Sequence, residues 1–155
     1  MNNITNCMTI IRAADADDAE EICAVCSEDL GYPCEVSLVR TKLLNLDRSR
    51  EEVFAAFIGG KAVGFVHIEK YDVIYFETMA NILGLAVKDC FRRKGVAKEL
   101  MRAAEKWAID KDIGLIRLNS GSARTGAHKF YKAVGYTADK QQMHFTKRLT
   151  KELNP

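Results

Sequence analysis

The sequence sets Arg92, Arg93 and Lys94 side by side, follows them with Gly95, and places Lys98 just inside the segment "GVAKELMRAAEKWAIDK". Adjacent cations repel one another, and glycine is the most costly residue to order. A bound anion would offset both penalties. The first N–H groups of a helix have no partner inside it, and the helix dipole adds partial positive charge at the same end. Gly95 lets the backbone approach a ligand, Val96 and Ala97 continue with modest bulk, and the cations surround that point. The combination suits a pyrophosphate. Neither G-x-x-x-x-G-K-[ST] nor G-x-G-x-x-G is present, so this is not a Walker loop or a dinucleotide fingerprint. On the loop alone, a solvated basic turn capping a surface helix is an equal reading.

The rest of the composition narrows the partners. With 23 Lys plus Arg against 21 Asp plus Glu, the formal net charge of the 155 residues is only +2. That argues for a local anion site and against a general nucleic-acid binder, as does the lack of an aromatic platform beside the patch. A hydrophobic fraction of 48% excludes a disordered chain. No run is long and apolar enough to span a bilayer, and the N-terminus lacks the pattern of a secretory leader. The expectation is a cytoplasmic protein with a polar extension over residues 1–7 and one domain over 8–155. Cys23 and Cys26 form a C-x-x-C inside a helical segment, with no second pair or nearby His to complete a metal set. They read as small core residues in a reducing compartment, and no metal site is expected.

The elements that must carry these residues alternate between strand and helix. "MTIIRA" (8–13) reads as a strand, and "DADDAEEICAVCSEDL" as a helix with acidic residues at its N-terminal end. "GYP" breaks it, and "CEVSLVRTKLLNL" is a second helix. "EVFAAFI" and "AVGFVHIEK" form a hairpin about the turn at 59–61. "VIYF" (73–76) and "NILGLAV" (81–87) are further strands. The segment from Gly95 is the clearest helix, with Ala97, Leu100, Met101, Ala104, Trp107 and Ala108 on one face. "IGLIRLNS" (113–120) is a strand, "AHKFYKAVGY" a helix stopped near Gly135, and "MHFTKRL" (143–149) a last strand. The pattern is an α/β domain with an early hairpin and later crossovers.

Two stretches in this order resemble one family. "LGLAVKDCFRRKGVAKELM" is similar to the acetyl-CoA motif of the GNAT N-acetyltransferase superfamily: L-x-V at Leu85 and Val87, then R-x-x-G-x-A at Arg92, Gly95 and Ala97. "RLNSGSARTGAHKFYKAVGY" resembles the family's closing segment through Ala127, Phe130, Tyr131, Gly135 and Tyr136. The form of that segment is similar to small-amine enzymes of the aminoalkylphosphonate and aminoglycoside 6′-N-acetylating types. The family often has glycine where Arg93 stands, so this loop is bulkier there.

The resemblance implies a mixed, mostly antiparallel sheet flanked by helices, with parallel strands 81–87 and 113–119 splayed apart. The backbone of Leu85, Ala86 and Val87 would pair with the pantetheine arm of acetyl-CoA, and one of these N–H groups would polarise the thioester. Residues Arg92, Arg93, Lys94, Gly95, Val96, Ala97 and Lys98 would hold the pyrophosphate, with Asn119 and Arg124 nearby. Tyr131 would be the general acid, its hydroxyl matched to a departing thiolate. Relatives often carry Glu on the strand that here reads "NILGLAV", which has no acid. The base therefore stays open among His67, Glu69, Glu77 and His144. Glu28, Asp29 and Tyr32 lie where acceptors are selected, and Glu28 and Tyr32 are substrate candidates. The implied reaction moves an acetyl group to a primary amine of a small molecule. A non-catalytic acyl-CoA-binding module and a protein N-terminal or lysine acetyltransferase remain as alternatives, and a homodimer is left open.

Overall fold

The computed structural model describes residues 8–151, so the polar extension proposed for 1–7 lies outside the described residues. Contacts divide the chain into two compact units, the first ending at Asn119 and the second beginning at Ser120.

The first unit is built on a five-stranded sheet in the order β1-β2-β3-β4-β5. β1 (Ile10–Ala13), β2 (Glu51–Ile58), β3 (Lys61–Tyr71) and β4 (Met79–Val87) run antiparallel to their neighbours, and β5 (Ile116–Leu118) is parallel to β4. The β2–β3 hairpin turns at Gly59 and Gly60, with φ of 60° and 79°, a conformation glycine adopts without a steric penalty. Because side chains alternate along a strand, the sheet has two apolar faces. Val53, Ala55, Phe57, Phe65 and Ala86 join a core with Ala19, Ile22 and Val25 of α1 (Ala19–Val25) and Leu43 of α2 (Val36–Leu44). The opposite face, including Val66 and Ile68, is packed by α3 (Val96–Asp110), whose stripe of Val96, Leu100, Met101, Ala104, Trp107 and Ala108 is buried.

The start of α1 is fixed by charge. Asp15 and Asp18 form a reciprocal cap on the short 3₁₀ turn Ala16–Asp18, and the Arg12 guanidinium grips buried Asp18 at 2.8 and 2.9 Å. The expected first helix ends as a π-helical turn over Cys26–Leu30, closed by Gly31 at φ 84°. Cys23 Sγ lies 3.5 Å from Cys34 Sγ, and burial, with Cys34 and Cys23 nearby, pushes the Cys26 thiol up to about 12. Cys23 and Cys26, both with raised pKa, are packing groups that keep their protons at neutral pH.

Three expected strands differ. "VIYF" is a turn, with Ile74, Tyr75 and Phe76 exposed. Asp72 closes its base by accepting from Thr78 Oγ1 at 2.6 Å and Arg50 Nη2 at 3.0 Å. β5 is limited to three residues of the expected eight. Residues 143–149 form no strand, and Met143, Phe145 and Leu149 are exposed. An apolar run becomes a strand only where another strand accepts its backbone hydrogen bonds.

The second unit contains α4 (Thr125–Ala133), two residues earlier at its start than periodicity suggested. Gly135, at φ 100°, follows its end.

Candidate active site

β4 changes partners along its length. Its ladder with β5 ends at Ile82↔Leu118, whereas its ladder with β3 continues to Val87. Leu83 is an extra residue in the second ladder: Ile68 faces Ile82 and His67 faces Gly84. Such a bulge shifts which amides point to which side. Upstream of it, Ala80 N–H donates to Leu115 C=O of the β5 side at 2.9 Å. Downstream, Lys88 N–H donates to Val63 C=O of the β3 side at 2.8 Å. Strand alternation then turns Ala86 toward β3 and Leu85 and Val87 toward the edge that β5 has left. Gly64 stands opposite Val87, and a Cβ there would lie 2.8 Å from Ala86 O. The missing side chain lets β3 and β4 close up beside that edge.

The strand leads directly to the anion loop. A 3₁₀ turn, Asp89–Phe91, is followed by extended Arg92, by Arg93 at φ 61° and by Gly95 at φ 80° as the cap of α3. Gly95 offers no side-chain cap, and Glu99 N–H is the first in the helix to bond back, to Gly95 O at 3.0 Å. The amides of Val96, Ala97 and Lys98 precede that bond and face out of the helix end. Arg92 is a brace: Nε donates to Val87 O at 3.2 Å, Nη1 to Asp89 Oδ1 at 3.1 Å, and Nη2 lies 3.8 Å from Asp29 Oδ1. Arg93, Lys94 and Lys98 are exposed, with the Lys94 ammonium 5.3 Å from the Phe91 ring centre. Bare amides beside exposed cations have the chemistry to receive an anion.

On the sheet face shared with α1, a polar row crosses three strands. Asn81 Nδ2 donates to Glu69 Oε1 at 3.1 Å, Arg117 Nη1 donates to Asn81 Oδ1 at 2.7 Å, and Arg117 Nη2 donates to Asn119 Oδ1 at 3.3 Å. Arg117 also stacks 4.5 Å above the Tyr71 ring. His67 Nε2 is buried without a hydrogen bond, 3.8 Å from Glu51 Oε1. Burial lowers the His67 pKa below its ordinary value, against the pull of Glu51 and Glu69, so the imidazole is neutral at pH 7. Of the other base candidates, Glu77 lines a polar surface cavity with Arg50, Lys70 and Lys111, and His144 is exposed in the irregular segment after α4. Sequence reasoning missed Asn81 and Arg117. The available signal was Asn81 itself, a buried polar residue in the otherwise apolar "NILGLAV".

Among acceptor-side residues, Glu28 and Tyr32 are exposed at the end of the π-helical turn, but Asp29 turns inward and accepts from Asp89 N–H at 2.9 Å. Within the second unit, Tyr131 is half-buried, edge-on to Phe130 at 5.4 Å and Tyr136 at 6.1 Å. Burial raises its phenol pKa above the usual 10, and the Arg124 charge partly opposes this. The group therefore keeps its proton through the neutral range. His128 Nε2 is 3.0 Å from Gly121 O and fastens the loop before α4. Among the described residues, no group of three or more His, Cys, Asp or Glu side chains is placed to hold a metal ion, and no helix is long and apolar enough to cross a membrane.

Comparison with known proteins matches residues 17–136 to the acetyltransferase (GNAT) family. The chain is 28% identical over 129 residues to an uncharacterized N-acetyltransferase of Archaeoglobus fulgidus, covering 78% of this chain and 88% of that one. It is 25% identical over 99 residues to the aminoglycoside N(6′)-acetyltransferase type 1 of Salmonella typhimurium, covering 61% and 68%. Its fold resembles the aminoglycoside N-acetyltransferase AAC(6′)-Iy in complex with the bisubstrate analogue CoA-S-monomethyl-acetylneamine, with TM-score 0.78, 22% identity, and 92% and 99% of the two chains covered.

Proposed function

The chain belongs to the GNAT acetyltransferase family, and we propose that it transfers the acetyl group of acetyl-CoA directly to a primary amine of a small molecule, within a ternary complex. The observation that carries this is the continuity of the β4 edge with the uncapped start of α3. The edge amides of Leu85 and Val87 run into a loop whose next bare amides are those of Val96, Ala97 and Lys98. A pantetheine arm hydrogen-bonds like a strand, and its pyrophosphate wants amides and cations, in that order along the molecule. This chain supplies both in sequence.

Acetyl-CoA supplies the activated acyl group. The protein supplies alignment, since holding two reactants in register lowers the barrier substantially. An edge amide from Leu85 or Val87 polarises the thioester oxygen with a dipole already in place. Tyr131, with its raised pKa, gives its proton to the departing thiolate. Arg93, Lys94 and Lys98 attract the phosphates, and Arg92 shapes the turn that presents them. Asn119 and Arg124 are assigned to the cosubstrate arm, and Glu28 and Tyr32 to the acceptor. A cytoplasmic location fits the four described cysteines, which are all free thiols.

A non-catalytic acyl-CoA-binding module shares the same cosubstrate site, and the lack of an acid in "NILGLAV" speaks for it. Thiol release with acetyl-CoA and a panel of aminoalkylphosphonates, aminoglycosides, polyamines and amino acids separates the two. Saturable release with at least one amine, falling about 10²–10³-fold in Tyr131→Phe, is the expected result. Tight CoA binding with no release across the panel overturns the enzymatic reading.

A further inference from the structure

We infer that Glu69, on the strand next to the one where relatives carry their acid, takes the proton of the acceptor amine, and that Asn81 is its positioning residue. The inference rests on the acetyltransferase reading above and names the group that it leaves unassigned.

Hydrogen-bond directions carry the argument. Arg117 can only donate, so the Asn81 side chain must turn its oxygen toward Arg117 and its nitrogen toward Glu69. An asparagine amide is symmetric enough to flip, and Arg117 removes that freedom. Arg117 is itself held by Asn119 and by stacking on Tyr71. The chain therefore fixes Glu69 as an acceptor with Oε1 engaged, and among the described residues Oε2 has no hydrogen-bond partner. Buried Asn81 sits two residues before the Leu83 bulge, which begins the stretch of β4 whose edge β5 has left. Two strand residues span about 7 Å, a distance that a file of two bridging waters covers between Glu69 and an amine approaching that edge.

The charge around Glu69 favours a cationic acceptor. Glu51 stands directly opposite it on β2, an arrangement that is destabilising for like charges. His67, two residues before Glu69 on β3 and 3.8 Å from Glu51 Oε1, is neutral at pH 7 and does not relieve it. From β5, Arg117 acts on Glu69 through Asn81. An ammonium is the partner that satisfies both carboxylates.

The step balances as follows. The ammonium gives one proton to Glu69 Oε2 through the bridging waters. The nitrogen lone pair attacks the thioester carbonyl carbon, the C–S bond breaks, and the thiolate takes the Tyr131 proton. The nitrogen's surplus proton replaces the one Tyr131 gave, and Glu69 releases its own to water. One proton leaves per acetyl group transferred.

The test uses the full chain with the best amine of the panel. Glu69→Gln should lower kcat/KM about 10²–10³-fold near pH 7, leave CoA affinity within about twofold of the parent, and recover as pH rises toward the amine's own pKa. Asn81→Ser should lower kcat about tenfold and shift the acidic limb of the parent profile without removing it. A folded Glu69→Gln protein with the parent's kcat/KM and pH profile overturns the inference. Should Glu69→Gln not fold, an Asn81→Ser protein with an unshifted profile overturns it equally. Absence of thiol release by the parent chain with every amine overturns the acetyltransferase reading instead, and this inference with it.

Discussion

Asp29 Oδ1 lies 3.8 Å from Arg92 Nη2 and accepts the Asp89 amide at 2.9 Å, which clips the end of the first helical segment to the turn that enters α3. The Asp29 carboxylate is largely buried while Arg92 is half exposed, so the charge-assisted bond from the Asp89 amide is the firmer half of the clip. It couples the segment proposed to meet the acceptor to the loop proposed to hold the pyrophosphate. Asp29→Ala should free the 89–92 turn, and the effect should appear in acetyl-CoA binding. The KM for acetyl-CoA is expected to rise about tenfold, the equivalent of roughly 1.4 kcal/mol, with kcat changed less than about twofold. Steady-state kinetics at saturating amine measures this. An unchanged KM would show that the loop holds its shape without the clip.

Arg93 occupies φ 61°, the left-handed region that glycine adopts without strain. A side chain there costs about 1 kcal/mol, and glycine's extra unfolded-state freedom costs a similar amount. Arg93→Gly should therefore leave stability within about 0.5 kcal/mol of the parent. Its exposed guanidinium is expected to reach the 3′-phosphate end of CoA. Loss of that contact should weaken CoA about 3–10-fold, while 3′-dephospho-CoA binds both proteins alike. Calorimetric titration with the two ligands decides it, and equal CoA affinity in the two proteins would sink the assignment.

These contacts mark where sequence reading stops. α3 was legible because its apolar stripe repeats with the helix period and its charges take the other face. The L-x-V and R-x-x-G-x-A spacings located the β4 edge and the helix cap, since both are local in sequence. The Leu83 bulge was not legible, because an extra residue exists only relative to the register with β3. The polar row was hidden for the same reason: Glu69 and Asn81 are 12 residues apart, and Asn81 and Arg117 are 36 apart. The acid that "NILGLAV" lacks is one we assign to a neighbouring strand, and its hydrogen bond to Asn81 is a pairing that strand alternation alone does not reveal. "VIYF" and "MHFTKRL" failed as strands in the opposite way, having the composition without a partner edge.

Gly64 is a sharper case of a backbone requirement. A Cβ there would meet Ala86 O at 2.8 Å and Val87 Cα at 3.2 Å, and backbone cannot yield as a side-chain tip does. Gly64→Ala should lose about 1–3 kcal/mol, read as a fall of several degrees in Tm. The strain falls beside the amides assigned to the pantetheine arm, so CoA affinity should drop with stability. A Tm within about 1 °C of the parent would mean that the strands separate more easily than their register suggests.

Asp18 contributes to the acid limit of the fold. Burial alone would raise its pKa, but the Arg12 guanidinium and the Asp15 N–H together hold it below the usual carboxylate range. A carboxyl whose folded pKa is depressed stabilises the fold fully above its unfolded pKa, about 3.9, and loses that contribution as pH falls through the folded value. Asp18→Asn keeps the shape, removes the charge, and should cost about 2 kcal/mol at pH 7. The difference between parent and variant should then shrink steadily below about pH 4, where the parent's carboxyl takes up a proton. Denaturant unfolding at several pH values measures both quantities. A difference that persists unchanged to pH 2 would assign the loss to packing around Asp18 and not to its ion pair with Arg12.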